Sequence, residues 1–423
     1  MHPGCMSNPP RRHTADVQRF ALYIHFPFCR ARCAYCDFST TTGLDALIPR
    51  YLAAVGLEIE RASARWGPLH ISTVYFGGGT PSLAPAERIS ALLERLRALF
   101  ALQPDAEITL EANPGTLSLP NLQALRAAGV NRISLGVQSA SDHELAELGR
   151  IHSWEQAVEA VAWARRAGFG NLSLDLIYGL PRQTMRRWRE TLEAALGLEP
   201  DHLSLYALMV EEGTPLAARI AAGQLPAPDD DRAAAMVAYA ERRLVQAGFW
   251  HYEISNWARA GTSRAIELGA DGQAPSWWPA GAEAQSESIS GFVCRHNLVY
   301  WRNEPWLGLG AGAHSWLGGE RWANVRSPQD YIAAVERGDS PVAEREPIPV
   351  RLEMGETMML GLRLAEGVSD ARFRARFGMG LTEAFGTEIG ELAALGLLEW
   401  DGRAARLTAR GRLLGNQVFA RFL

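Results

Sequence analysis

From residue 19 onward, apolar runs alternate with stretches of helical spacing. Residues 20–26 (Phe-Ala-Leu-Tyr-Ile-His-Phe) predict a strand, and residues 45–65 carry apolar positions at helical intervals. The alternation continues with strands at 71–77, 107–112, 131–137, 171–178 and 202–208. Helices fall between them near 85–100, 119–128, 154–167 and 185–197. Six strand–helix steps at this spacing predict an α/β fold with a parallel sheet and crossover helices. Six units fit a partial (β/α)6 barrel better than a closed eight-stranded one. After residue 210 the pattern weakens. Residues 228–246 read as an amphipathic helix, and 262–291, rich in Gly, Ala, Ser and Pro, read as a long loop or insertion. Prolines 341, 347 and 349 suggest a linker. Residues 351–423 are mostly helical, with a short hairpin-like pair around Asp401-Gly402, which predicts a winged-helix-like module. The expected organisation is a loose leader over 1–18, a barrel over 19–215, an extension over 216–340 and a C-terminal domain over 341–423.

Composition narrows the function. Of the 423 residues, 47% are hydrophobic and 21% charged, so the chain can bury a large core. A net charge of −5 lacks the basic field of a nucleic-acid-coating protein. All 42 basic residues are arginine. Without lysine there is no Schiff base, and therefore no pyridoxal phosphate or class I aldolase chemistry. A Walker A phosphate loop is excluded for the same reason. No run of 18 apolar residues predicts a transmembrane helix. Arg11-Arg12 is followed by polar residues rather than an apolar segment, which argues against a twin-arginine signal. Five cysteines are too few for a secreted disulfide scaffold of this size, so a reducing cytoplasm is expected.

Three of those cysteines, Cys29, Cys33 and Cys36, lie within eight residues, directly after the first strand. A closed zinc site needs a fourth ligand, for which His25 or Asp37 are the nearby choices. Three cysteines without a fourth fit a [4Fe–4S] cluster with one open iron, able to take an external ligand. Polar or glycine signals recur where the other strands end. They are Gly77-Gly78-Gly79-Thr80-Pro81-Ser82, Glu111 with Asn113, Gly136 with Gln138-Ser139, and Asp175 with Tyr178-Gly179; the sixth strand ends near Met209. Ligands of parallel barrels gather at those C-terminal ends.

The spacing C-x3-C-x2-C, with Tyr35 before the last cysteine, resembles the radical SAM superfamily. That resemblance implies a [4Fe–4S] cluster on Cys29, Cys33 and Cys36 with S-adenosylmethionine beside it. Gly79 and Thr80 would contact the methionine part. Glu111, Gln138, Arg150 and Asp175 would address the ribose and carboxylate, and Tyr23 and Met209 would line the cluster and adenine. Glycine amides can donate to a carboxylate, and glycine lets a backbone approach closely.

Tyr23-Ile-His-Phe-Pro-Phe-Cys29, Gly77–Ser82 and Asp175-Leu-Ile-Tyr-Gly-Leu-Pro181 resemble the oxygen-independent coproporphyrinogen III oxidase group. In the oxidase branch a further cysteine stands two residues after the third; here Phe38 occupies that position. The heme-chaperone branch carries a His-Asn-x-x-Tyr motif, and this chain has His296-Asn297-Leu-Val-Tyr300. That resemblance implies a cytoplasmic heme chaperone delivering heme to respiratory hemoproteins at the membrane. His296 would be the heme ligand and Tyr300 a second contact, with Cys294 as an alternative thiolate. Oxidative decarboxylation of coproporphyrinogen III is the enzyme alternative. The 262–291 stretch is longer than this group usually has before the His-Asn pair. Cys5, in the leader, takes no role.

Overall fold

The computed structural model describes residues 19–260 and 291–423. The leader with Cys5, and all but the last residue of the 262–291 stretch, lie outside these described residues. The barrel elements run β1 (Arg19–Phe26), α1 (Ile48–Trp66), β2 (His70–Gly78), α2 (Ala86–Leu99), β3 (Ala101–Ala112) and α3 (Leu119–Ala128). They continue with β4 (Arg132–Gln138), α4 (Trp154–Arg166), β5 (Leu172–Tyr178), α5 (Met185–Leu196) and β6 (His202–Ala207). Local chemistry sets several ends. Ser153 and Gln156 form a capping box at the start of α4. Ser118 caps α3, and Gly129, at φ 109°, stops it.

The six strands are parallel, and each pairs with the next. Their two faces differ sharply. One carries Leu22, Ile24, Val74, Phe76, Ile108, Leu110, Ile133, Leu135, Leu174 and Leu203, all buried in the main apolar core with the covering helices. The other carries Tyr23, Tyr75, Thr109 and Arg132, which sit side by side in register, with Glu111, Ser134, Ser173 and His202 beside them. The period of two along each strand thus separates an outer apolar layer from an inner polar one.

The sheet extends beyond these six. The elements α6 (Asp230–Gln246), β7 (Phe249–Glu253), β8 (Asn256–Arg259), α7 (Arg295–Trp301), β9 (Trp306–Leu309), β10 (His314–Leu317), β11 (Glu320–Asn324), α8 (Pro328–Arg337) and β12 (Val342–Pro347) complete it. The order is β12-β11-β10-β9-β1-β2-β3-β4-β5-β6-β8-β7, an open sheet in which β9 runs parallel to β1. Residues 342–347, expected as a linker, are instead its edge strand. That position tolerates their proline, because an outer strand leaves one row of amides unpaired. Residues 216–340 share the barrel's apolar core through Met236, Trp257, Leu307 and Tyr331. The buried carboxylate of Glu58 on α1 adds polar stitching. It accepts from Tyr331 Oη (2.6 Å), Asn324 Nδ2 (2.7 Å) and Gly310 N (2.8 Å).

A second core gathers Met354, Met358, Phe373, Phe385, Ile389, Leu398 and Phe422. It joins α9 (Val350–Gly361), α10 (Asp370–Phe377) and α11 (Leu381–Ala394) to a small sheet of β13 (Val368–Ser369), β14 (Leu398–Trp400) and β15 (Ala404–Leu407). The helical, winged-helix-like C-terminal region expected from the sequence is present. Among the described residues no helix is long and apolar enough to cross a membrane.

Candidate functional site

The cysteine loop leaves the C-terminal end of β1. Its three thiols are half-buried and unpaired. Each receives a donor. Thr80 Oγ1 donates to Cys29 Sγ (3.5 Å), and Arg150 Nη1 donates to Cys33 Sγ (3.3 Å). The backbone amide of Phe38 donates to the Cys36 thiol. Such donors stabilise sulfur carrying negative charge. Burial without a metal pushes the Cys29 and Cys36 thiols up from their ordinary values. Among the described residues no three His, Cys, Asp or Glu side chains converge to hold a single metal ion. His25 is engaged elsewhere, its Nε2 with Ser39 O (2.9 Å) and its Nδ1 with Tyr23 Oη (3.0 Å).

The glycine run explains how β2 reaches that loop. A Cβ on Gly79 would stand 2.7 Å from Phe28 O and 2.9 Å from Phe26 O, so only glycine fits. The amides, however, are occupied. Gly79 N donates to Phe26 O (2.7 Å), Thr80 N to Phe28 O (2.9 Å) and Gly78 N to Glu111 Oε2 (3.1 Å). Free amides for a ligand carboxylate were expected here; two of these hold the start of the cysteine loop and the third holds Glu111.

Glu111 and Asp175 come together on the inner face. Glu111 also accepts from Tyr75 Oη (2.8 Å). Burial is the largest influence on Glu111 and, with Asp175 adding to it, pushes its carboxyl up to about 7. Asp175 accepts from Ser134 Oγ (3.1 Å) and is likewise raised by burial. Gln138 is buried at the end of β4 with φ of 70°, a left-handed conformation that a non-glycine residue adopts at some cost. Arg150 is anchored by Nη2 to Gly136 O (2.7 Å), while its Nε lacks a partner. Tyr23 donates to or accepts from His25 Nδ1 (3.0 Å). Met209 is 69% exposed, beyond the end of β6, rather than enclosed.

The His-Asn-x-x-Tyr segment lies against the sheet rather than at the cysteine loop. It forms α7, which packs on the inner face of β1 and β2. His296 is 1% exposed, and its ring stacks on Tyr75 at 4.9 Å. Its Nδ1 pairs with Thr73 Oγ1 (2.9 Å) and its Nε2 with Tyr300 Oη (3.0 Å). Burial pushes the ring down to about 3, so it stays neutral. His296 and Tyr300 do meet, but as a hydrogen-bonded structural pair. Both ring nitrogens are engaged within the protein in this arrangement. Cys294 is fully buried, and that burial pushes its thiol up to about 12.

Sequence reasoning missed the groups that hold α7. Glu107 on β3 accepts from Arg295 N (2.9 Å) and His296 N (3.1 Å), so its carboxylate caps the helix start. Arg132 on β4 is 2% exposed, and the negative charge of Glu107 favours its guanidinium. His202 bridges Ser173 Oγ and Tyr252 Oη, each at 2.8 Å. The signal was available. Glu107-x-Thr109-x-Glu111 and His202-x-Ser204 alternate strictly with apolar residues, as strands with one polar face do.

Comparison with known proteins places this geometry. A model of the radical SAM superfamily matches residues 23–195, and one of the HemN C-terminal domain matches residues 351–414. The chain is 39% identical over 404 residues to the heme chaperone HemW of Mycobacterium tuberculosis, covering 95% of this chain and 94% of that one. It is 34% identical to the heme chaperone HemW of Bacillus subtilis, covering 95% and 99%. It is 35% identical to the mitochondrial radical S-adenosyl methionine domain-containing protein 1 of Bos taurus, covering 97% and 88%. Among solved structures, the coproporphyrinogen III oxidase HemN of Escherichia coli, a radical SAM enzyme, superposes with a TM-score of 0.78 at 25% identity. The match covers 96% of this chain and 91% of that one. On this sequence likeness over almost its whole length, the chain belongs to the HemW family within the radical SAM superfamily.

Proposed function

We propose that this protein is a heme chaperone that carries a [4Fe–4S] cluster and S-adenosylmethionine and delivers heme to respiratory hemoproteins. The observation that carries the reading is the donor set on the three thiols: a hydroxyl, a guanidinium and an amide, one to each sulfur. Cys29, Cys33 and Cys36 would hold the cluster. Held by these thiols, such a cluster would supply an electron to a sulfonium group bound beside it. Tyr23, Gly79, Thr80, Glu111, Gln138, Arg150, Asp175 and Met209 would surround S-adenosylmethionine. In that role Glu111, titrating near neutrality, can accept from or donate to a ribose hydroxyl. Arg150 has an unspent Nε and so can serve both Cys33 and a carboxylate. Work in the cytoplasm, with visits to the membrane surface where recipient hemoproteins reside, completes the reading.

Anaerobic reconstitution with iron and sulfide, followed by hemin titration and transfer to an apo-hemoprotein, tests it. Uptake of one cluster, saturable hemin binding and stoichiometric transfer are expected. Absence of transfer under reducing conditions overturns it. Likeness to the solved oxidase favours one second reading, radical decarboxylation of coproporphyrinogen III. Sustained porphyrin product in anaerobic turnover with that substrate would establish it, in spite of Phe38.

A further inference from the structure

Five rings stand in an unbroken file along the inner face of the sheet: Tyr23, Tyr75, His296, Tyr300 and Trp306. Tyr23 and Tyr75, paired across β1 and β2, stack with centroids 6.2 Å apart. His296 stacks on Tyr75 at 4.9 Å and meets Tyr300 edge-on at 5.0 Å. Tyr300 meets Trp306 edge-on at 4.9 Å. The file has a direction. At one end the Tyr23 ring lies against Gly77, where an added Cβ would stand 3.0 Å from it. Three residues further on, Thr80 donates to Cys29 Sγ. At the other end Trp306 is half-buried and pairs with Ala21, near the start of β1. The rings therefore run from the cysteine-loop end of the sheet toward the opposite end.

Packing explains rings in contact, and phenylalanine would pack as well. It does not explain the hydroxyls. Each of the three phenols is bonded to a base: Tyr23 to His25 Nδ1 (3.0 Å), Tyr75 to Glu111 Oε1 (2.8 Å) and Tyr300 to His296 Nε2 (3.0 Å). His25 is held neutral by burial, and its Nε2 faces Ser39 O, which can only accept. Its Nδ1 is therefore free to accept from Tyr23. A phenol gives up an electron readily only when its proton can leave too, and all three partners lie within reach for proton transfer. An oxidised phenol is a strong acid, so even the weakly basic His296 suffices as acceptor. Trp306 Nε1 donates to His314 O (3.0 Å), a carbonyl, and an indole can pass an electron while keeping its proton.

We infer that this file is a relay that carries an oxidising equivalent from the cysteine-loop end of the barrel to Trp306, and so discharges a carbon radical formed beside the cluster. This rests on the reading above, in which the cluster gives one electron to a sulfonium. That electron breaks one carbon–sulfur bond and leaves a thioether and a carbon radical. With no other donor at hand, the radical takes the hydrogen atom of the Tyr23 hydroxyl: a C–H bond forms and the O–H bond breaks. Tyr75 then gives Tyr23 an electron and passes its own proton to Glu111, while the half-buried Tyr23 takes a proton from solvent. Tyr300 reduces Tyr75, which recovers its proton from Glu111. Trp306 reduces Tyr300, which recovers the proton it lent to His296. A thiol in solution reduces Trp306 and releases one proton, matching the one taken up at Tyr23.

The test has two arms. The first uses the full-length protein without a cluster. A ruthenium trisbipyridine complex, photo-oxidised in solution, takes electrons from accessible indoles, and transient absorbance follows the radicals. Tyrosyl radicals should appear as tryptophanyl radicals decay, with a yield at least twofold lower in both Trp306→Phe and Tyr300→Phe. Equal yields in all three proteins overturn the relay and leave the cluster reading intact. The second arm uses reconstituted protein in deuterated water, with S-adenosylmethionine, one electron per cluster and no other substrate. The carbon fragment released should carry deuterium, because a phenol hydrogen exchanges with solvent, and deuterium per fragment should fall severalfold in Tyr23→Phe. A tyrosyl signal in electron paramagnetic resonance should persist severalfold longer in Trp306→Phe, at unchanged cluster absorbance. Protium in the wild-type fragment, or equal signal lifetimes, overturns the discharge. S-adenosylmethionine left intact by protein holding a full reduced cluster overturns the reading beneath it, and the inference with it.

Discussion

The inner face of the barrel permits a quantitative test through Glu107. Its carboxylate serves two amides at the start of α7 and supplies negative charge to the buried Arg132. Glu107→Gln keeps the size but turns one acceptor into a donor, so one helix N–H loses its partner. That unmet donor costs about 1–3 kcal/mol. Arg132 also loses one of the carboxylates near it but keeps Glu111 and Asp175, so the total comes to about 2–4 kcal/mol. The urea midpoint of the barrel should fall by about 0.7–2 M, taking a slope of about 2–3 kcal/mol/M. The second arm is Glu107→Gln/Arg132→Met. Removing the guanidinium as well should recover about 1 kcal/mol, because the buried cation that Glu107 faced is then gone. Tryptophan fluorescence follows the transition. A midpoint within about 0.3 M of wild type for the single variant, or a double variant as unstable as the two singles added, would refute the electrostatic account of how α7 is held.

Three further outcomes follow from the site. Gly79→Ala should displace the cysteine loop, since its Cβ would sit 2.7 Å from Phe28 O. Overpacking of this kind costs about 1–3 kcal/mol, and cluster content after reconstitution should fall with it; a full cluster complement would contradict the tight fit. Arg150→Met removes the donor to Cys33, so iron uptake should slow at unchanged secondary structure, checked by cluster absorbance against circular dichroism. Glu111, raised to about 7 in the folded protein, binds its proton more tightly folded than unfolded. Its contribution is therefore full below the unfolded carboxyl value and is lost as pH rises through about 7. Glu111→Gln should flatten the stability profile between pH 5 and 8 and gain about 1–3 kcal/mol at the alkaline end, read from urea midpoints. A parallel slope in wild type and variant would exclude this role.

Much of the scaffold was legible in the chain. The predicted helix 119–128 is the helix Leu119–Ala128, because a serine cap, Pro120 and Gly129 mark both of its ends. The six barrel strands followed from apolar runs bounded by turn residues, and the cysteine spacing pointed to a cluster loop at the end of the first. The proline-bearing strand Val342–Pro347 was not legible, because an edge strand has no periodic burial to betray it.

Local sequence thus determined what depends on neighbours along the chain: where helices start, which strand faces are apolar, and how three thiols share one loop. Tertiary structure decided what depends on residues far apart. His296 and Tyr300 are four residues apart, and their motif alone is compatible with an open metal ligand. Only the arrival of Thr73, Tyr75 and Glu107, about two hundred residues earlier, makes that imidazole a buried, neutral and doubly bonded group. The same holds for the glycine amides: Gly79 N finds Phe26 O at the end of β1, and Gly78 N finds Glu111 on β3. A side chain's chemistry follows its solvent and its partners. The sequence names the side chain, and the packed fold supplies both of those.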